Sequence, residues 1–475
     1  TICENDSFSI SFETSTFDTL QWQISYPTST GSQIWDNLPN NLFFSGTNEK
    51  TLQVSEPQLD LNNVRLRALI QRNGNSCDLY TSETLINVNP NPTVIIGPSY
   101  EVCDDDYDGI GSYDLSTLDE TLLDGQTGVS ISYYESQEDA DNATNVLDVN
   151  YQNTVPDNQT LYVRLEVDET GCYATTTQDL IVHPIPTVLV GPAYEVCDDD
   201  YDGIGSYDLS TLDETLLDGQ TGVSISYYES QEDADNATNV LDVNYQNTVP
   251  DNQTLYVRLE IDETGCYATT TQDLIVHPLP EIIVPTPLEE CDDDYDGIVS
   301  FFDLSQKTEE ILNGQTGISV SYYETLENAE SDENPIEGLY TNIEVDTQTL
   351  YVRLEVDETG CYATTTQDLI VHPIPTVLVG PAYEVCDDDY DGIGSYDLST
   401  LDETLLDGQT GVSISYYESQ EDADNATNVL DVNYQNTVPD NQTLYVRLEI
   451  DETGCYATTT QDLIVHPIPT VLVGP

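Results

Sequence analysis

The chain has 475 residues and carries 89 Asp and Glu against 9 Lys and Arg, a formal net charge of −80. A field of that sign excludes nucleic acid and anionic membrane surfaces as partners. No apolar run approaches the ~18 residues a membrane span needs, so no membrane insertion is expected. The hydrophobic fraction of 38% and the 32 Tyr exclude a disordered acidic tail, and the length suits three to five folded domains.

Residues 1–92 open on Cys3 and the alternating run Ser7-Phe8-Ser9-Ile10-Ser11-Phe12, followed by Gln21-Trp22-Gln23, with Cys77 near the end. Alternation predicts half-buried strands. The segment looks like a bacterial immunoglobulin-like module with Trp22 as its core tryptophan. Because Cys3 precedes the second strand, a bridge to Cys77 would pin one end of the sandwich rather than cross its centre.

From residue 93 the chain repeats itself. Cys103, Cys197, Cys291 and Cys386 are separated by 94, 94 and 95 residues. That period is too long for a solenoid and suits one β-sandwich per repeat. Boundaries are expected at the Val-His-Pro joints, giving modules 93–186, 187–280, 281–375 (diverged) and 376–469, with 470–475 opening a further repeat. The prolines favour an extended, semi-rigid connection. The fold class predicted is therefore all-β, a linear array of immunoglobulin-like sandwiches with short helical turns.

Within the first repeat, the order begins with Cys-Asp-Asp-Asp-Tyr-Asp-Gly-Ile at Cys103. Alternate carboxylates on a tightly turned loop can converge on one ion, and calcium takes six to eight oxygens. The predicted ligands are Asp104, Asp106 and Asp108, the carbonyl of Ile110, and Asp114. Their counterparts are Asp198, Asp200, Asp202, Ile204 and Asp208; then Asp292, Asp294, Asp296, Ile298 and Asp303; then Asp387, Asp389, Asp391, Ile393 and Asp397. One Ca²⁺ per acidic repeat is expected. Leu115 occupies the place where an EF-hand has its bidentate Glu, and the competing reading is a solvated acidic loop.

Further along, Thr117 to Glu120 has capping-box spacing, with Gly125 to end the helix, and Ser136 offers a second helix start. Gly128 to Tyr134 and Thr160 to Glu166 alternate as strands. Asp168-Glu169-Thr170-Gly171 predicts a hairpin turn into the strand that begins at Cys172.

Ten cysteines fall two to a module: Cys3, Cys77, Cys103, Cys172, Cys197, Cys266, Cys291, Cys361, Cys386 and Cys455. Even count and regular spacing predict disulfides in an oxidising, extracellular compartment. Zinc competes, but His183, His277, His372 and His466 all lie far from any Cys in sequence. Pairing within a module, Cys103 with Cys172, would close a loop of about 69 residues and contribute roughly 4 kcal/mol.

The joint histidines are expected to pack rather than react. The lone arginines Arg164, Arg258, Arg353 and Arg447 are expected to pair with a local carboxylate or stack on tyrosine. The abundant tyrosines, Tyr133, Tyr134, Tyr151 and Tyr162 among them, are expected in the core, with exposed sugar-stacking platforms as the competing reading. No catalytic constellation is apparent, so no enzyme is expected. The sequons at Asn142 and Asn158 are absent from the diverged repeat, which keeps its acidic loop and cysteines.

The combined order Cys-Asp-x-Asp-x-Asp-Gly, Tyr113-Asp114-Leu115, Ser132-Tyr133-Tyr134-Glu135, Leu161-Tyr162-Val163-Arg164 and Gly171-Cys172-Tyr173 resembles the repeats of giant Bacteroidetes cell-surface adhesins. These are exported by the type IX secretion system and include gliding-motility adhesins. The resemblance covers residues 93–475. It implies a filament on the cell surface, with neighbouring repeats, the motility and secretion machinery, and an external surface or polysaccharide as partners. A glycan-binding array and the spacer of a large secreted hydrolase are the alternatives.

Overall fold

A computed structural model of the chain describes residues 1–469 except 15, 29, 30, 73, 75 and 76. The segment 470–475, expected to open a further repeat, lies outside the described residues. Two compact units are present. The first comprises Thr1–Pro192, Asp208–Val243 and Thr254–Gln272; the second comprises Ala193–Tyr207, Asn244–Gln253 and Asp273–Pro475.

In the first unit, the described residues of 1–92 build a five-stranded and a three-stranded sheet around the predicted tryptophan, and Ile2–Cys3 pairs parallel with Val88–Asn89. Strand Thr19–Ser25 pairs antiparallel with Val64–Gln71, and Phe8–Ser11 with Thr51–Val54. Trp22 is 2% exposed. It meets Phe12 edge-on and donates its indole N–H to the Glu49 carbonyl at 2.9 Å.

The first repeat runs β1 (Tyr100–Cys103), β2 (Ser112–Asp114), α1 (Asp119–Leu123), β3 (Val129–Tyr134), α2 (Gln137–Asn142), β4 (Asn150–Gln152), β5 (Asn158–Val167) and β6 (Tyr173–His183). One sheet has the order β1-β6-β5-β3, and β2 pairs with β4 in a separate ribbon. Strand β1 runs parallel to β6, with Cys103 opposite His183. The hairpin forms as its turn residues dictate: Gly171 has φ +71° and its N–H donates to Val167.

The core lies between sheet and ribbon. Leu161, Val163 and Leu165 supply one side; Tyr113, Tyr151, Leu115 and Leu122 supply the other. Period-two burial on β5 thus does what the alternation predicted. Its opposite face is covered too, because α2 packs over β5 with Ala140 fully buried.

The helix starts are partly as expected. Ser136 caps α2 by accepting from the Asp139 N–H. Thr117 is not the first cap. Asp114 accepts from the Ser116 N–H and opens a 3-10 turn, Leu115–Leu118, that leads into α1. The helix ends on Asp124, φ +45°, immediately before Gly125.

In the second unit, the diverged repeat keeps the four-stranded sheet, with Leu288–Cys291 parallel to Tyr362–His372. Its ribbon is reduced to a single bridge between Phe302 and Tyr340. The last repeat has both sheet and ribbon.

Phe302 of the diverged repeat stands where the others have Tyr113, Tyr207 and Tyr396. Those three hydroxyls are buried and have no hydrogen-bond partner among the described residues, and burial pushes Tyr113 up to about 12. An unpaired buried hydroxyl costs more than its removal. Tyr113→Phe should therefore leave the melting temperature unchanged or raise stability by up to about 1 kcal/mol; thermal unfolding showing a clear loss would contradict this.

Candidate metal site and inter-module bridges

The acidic loop follows β1 directly, and backbone geometry explains its sequence. The Asp104 N–H donates to the His183 carbonyl at 2.8 Å, which fixes the loop to the end of β6. Asp104 is only 8% exposed. Its carboxylate accepts from the N–H groups of Asp106 (3.1 Å), Tyr107 (3.0 Å) and Gly109 (2.9 Å). Gly109 has φ +74°, and a Cβ there would lie 2.8 Å from the Asp157 carboxylate. Glycine is required by both conformation and space.

The Asp104, Asp106 and Asp108 carboxylates offer oxygens within 4.8 Å of one another, as do Asp198, Asp200 and Asp202, and Asp292, Asp294 and Asp296. In the last repeat the trio that gathers is Asp387, Asp388 and Asp389, whereas Asp391 accepts from the Ile393 N–H. The loop isoleucines are held similarly elsewhere: Ile110, Ile204 and Ile298 donate N–H to Asp108, Asp202 and Asp296.

The fifth predicted ligand is used differently. Asp114, Asp208, Asp303 and Asp397 each cap a 3-10 turn and are not in these clusters. An Asx cap followed by Ser or Thr was the sequence signal for that role.

Electrostatics divide the trio. Burial works to raise Asp104, but the backbone N–H groups outweigh it and hold the carboxyl below its ordinary range. Asp106 is pushed up by desolvation and by the neighbouring Asp108 and Asp105 charges. That mutual repulsion is what a divalent cation would relieve. Because Asp104's folded value is depressed, its contribution is present above pH ~4 and lost as pH falls through the folded value. Asp104→Ala leaves three backbone donors unmatched and should cost about 2–4 kcal/mol in urea unfolding. A loss below ~1 kcal/mol would show that the loop does not depend on this carboxylate.

The disulfides overturn the within-module pairing. Cys3 bridges Cys172, not Cys77; Cys103 bridges Cys266; Cys197 bridges Cys361; Cys291 bridges Cys455. Each joins one module to its neighbour. The reason lies in strand register. Cys103 sits opposite His183, the last residue of β6, while Cys172 immediately precedes the first. Eleven residues of strand separate those positions by ~36 Å; a disulfide needs Cα atoms about 4.4–6.8 Å apart. The two cysteines of one module lie at opposite ends of it. Cys386, also expected in a bridge, is exposed and has no sulfur partner among the described residues.

The acidic loop consequently belongs to a joint. The Tyr107 hydroxyl donates to the Pro186 carbonyl at 2.8 Å, and Tyr201 and Tyr295 reach Pro280 and Pro375 likewise. A cavity of about 570 Å³ lies beside the Cys103–Cys266 bridge, bounded by Asp104, Tyr107, Ile185 and Tyr267. Another of about 540 Å³ lies beside Cys291. The joint histidines have partners that sequence reasoning missed: His183 meets Glu101 at 2.9 Å, and His372 meets Glu289 at 2.9 Å. The lead-in segment is pinned to its own module as well, since Thr176 and Gln178 donate to the Ile95 and Pro98 carbonyls.

The arginines do both things expected of them. Arg164 bonds Glu166 through Nε (2.9 Å) and one terminal nitrogen (2.7 Å), and stacks 3.4 Å from the Tyr173 ring centre. Its other terminal nitrogen donates to the Ala140 and Asp141 carbonyls of α2. Tyr133, Tyr134 and Tyr151 are buried, so none is available as a sugar platform.

A β-rich module whose sulfurs sit at its two ends, repeated and bridged end to neighbour, is a structural building block of extracellular type. The Flavobacterium inter-domain disulphide bond domain matches residues 99–186, 193–280, 287–375 and 382–469, and the chain belongs to that family. No curated protein matches the sequence. Among solved structures, a titin fragment of three immunoglobulin domains is 11% identical at TM-score 0.25, covering 58% of this chain and 94% of its own. The insect immune protein hemolin is 10% identical at TM-score 0.19, covering 78% and 97%. The human desmocollin-1 ectodomain is 13% identical at TM-score 0.14, covering 95% and 93%. No described helix is long and apolar enough to cross a membrane.

Proposed function

We propose that this chain is a non-enzymatic stalk segment of a large cell-surface adhesin, stiffened by calcium, that serves surface attachment and gliding motility. The observation that carries the reading is the pairing of sulfurs between neighbouring modules, because a bridge at each joint restrains bending where a tandem array is otherwise free. The acidic loops support the calcium part: Asp104, Asp106 and Asp108 would hold the ion beside the bridge, with Asp104 already oriented by backbone bonds. Extracellular calcium suffices for sites of ~0.1–1 mM affinity. The adhesive and motility parts rest on the sequence resemblance.

Small-angle scattering at millimolar Ca²⁺ should give a rod. Five modules of ~35–45 Å each would span on the order of 200 Å. A compact particle would sink the stalk. Isothermal titration should show calcium uptake near one ion per acidic repeat, and chelation should lower the melting temperature. Absence of uptake at millimolar Ca²⁺ would remove the metal while leaving the stalk intact.

A further inference from the structure

We propose that the bridges form two interlaced covalent lines along the chain, so that the loss of either inner bridge, Cys103–Cys266 or Cys197–Cys361, leaves how far the molecule can be stretched essentially unchanged. The inference deepens the stalk reading and rests on it only for the premise that the chain bears load. One line runs through Cys3–Cys172, then along the backbone to Cys197–Cys361. The other runs through Cys103–Cys266, then along the backbone to Cys291–Cys455. Each backbone stretch between successive bridges is about 25 residues, and a bridge with its stretch advances the line by about two repeats.

Those short stretches hold little slack. The one from Cys172 to Cys197 contains strand Tyr173–His183, the proline joint and strand Tyr194–Cys197, so most of it is already extended in the folded protein. Tension along a line passes through sulfur, strand and joint. Within a line it bypasses the acidic loop, both helices and the strand pairing beneath them; only the crossing from one line to the other, between Cys103 and Cys172, runs through these elements. The lines overlap, since Cys103 to Cys172 is spanned by bridges of both, and a break in one is carried by the other.

The consequence is a contour length. With all bridges intact, the shortest covalent route from Cys3 to Cys455 is about 94 residues of backbone, against about 450 without them. At 3.3–3.6 Å per residue, the whole chain pulled from its ends should stop on the order of 400 Å, and at about 1,600 Å after reduction. Pairing within modules would give a similar limit for the intact chain. The deciding variant is therefore Cys197→Ser with Cys361→Ser. Interlaced pairing predicts no added length, because the route through Cys103–Cys266 and Cys291–Cys455 survives. Pairing within modules would lose two loops and release about 140 residues, on the order of 470 Å.

The experiment is single-molecule pulling of the full chain with handles at its ends, for the unaltered protein and this variant, without and with a phosphine reductant. The readout is the length of the unfolded chain, which does not depend on module stability. An unchanged limit in the variant, with a fourfold extension on reduction, supports the proposal. Release of hundreds of ångströms by the variant, or an unaltered chain that extends past 1,000 Å before reduction, overturns it. A compact particle by scattering alongside an unchanged limit would defeat the stalk and spare the interlacing.

Discussion

Replacing Cys103 and Cys266 together by serine should destabilise the first two repeats, and replacing Cys103 and Cys172 together should do so about twice as strongly. The order follows from connectivity. The first pair removes one bridge; the second removes a partner from each of two, Cys3–Cys172 and Cys103–Cys266. Each bridge closes a loop of about 165 residues, and the chain-entropy estimate for that length is roughly 5 kcal/mol. A module's total stability is of similar size, about 5–15 kcal/mol. The loss should therefore appear in calorimetry as a lowered or separate transition for the affected modules. Pairing within modules would invert the order: Cys103 with Cys172 would be the mild change and Cys103 with Cys266 the severe one.

Arg164→Ala is the second large effect. The side chain is 7% exposed and sits at a crossing of three elements. It binds Glu166 on its own strand, lies over Tyr173 on β6, and donates to the carbonyls that end α2. Removing it leaves those carbonyls without their donor, while Glu166 keeps access to water. Losing the charged donor to the buried α2 carbonyls together with the stacking on Tyr173 should cost about 2–4 kcal/mol. Arg164→Lys should recover only part of this, because an ammonium cannot bond a carboxylate through two nitrogens while lying flat on a ring. Urea unfolding is the measurement, and a loss under ~1 kcal/mol for alanine would show that α2 is held by other contacts. Glu166 is 40% exposed, so the ion pair alone is not the main contribution.

Much of each module was legible in the sequence because its elements obey local rules. Alternation on Leu161, Val163 and Leu165 gave the core face of β5, the Gly171 turn gave the hairpin, and Ser136 gave the start of α2. Trp22 was identifiable from its strand context. What failed was long-range. Spacing alone fits pairing within a module or between modules equally well, since both repeat with the same period. Only the parallel register of β1 on β6, with Cys103 opposite His183, separates the two sulfurs of a module, and a parallel pairing has no local signature.

The candidate metal loop was legible in part. Asp104, Asp106 and Asp108 come together as the alternate spacing implied, and Gly109 is where a turn needs it. Asp114 lies outside the trio and caps a 3-10 turn, a role that a carboxylate at loop position eleven also fits. The choice depended on Ser116, two residues on. The contacts of Tyr107 with Pro186, and of His183 with Glu101, could not be inferred, since they join residues about 80 positions apart.

Disulfide mapping of the unreduced protein tests the central claim most directly, and the diverged repeat makes it unambiguous. The Cys291 peptide is unique, beginning Leu288-Glu289-Glu290, and its two possible partners differ by one methylene. Bridging between modules links it to the Cys455 peptide, which carries Ile450; bridging within the module links it to the Cys361 peptide, which carries Val356. Mass spectrometry should find the isoleucine-containing partner. A valine-containing partner in its place would contradict the joint, the interlaced lines and the stalk stiffness built on them.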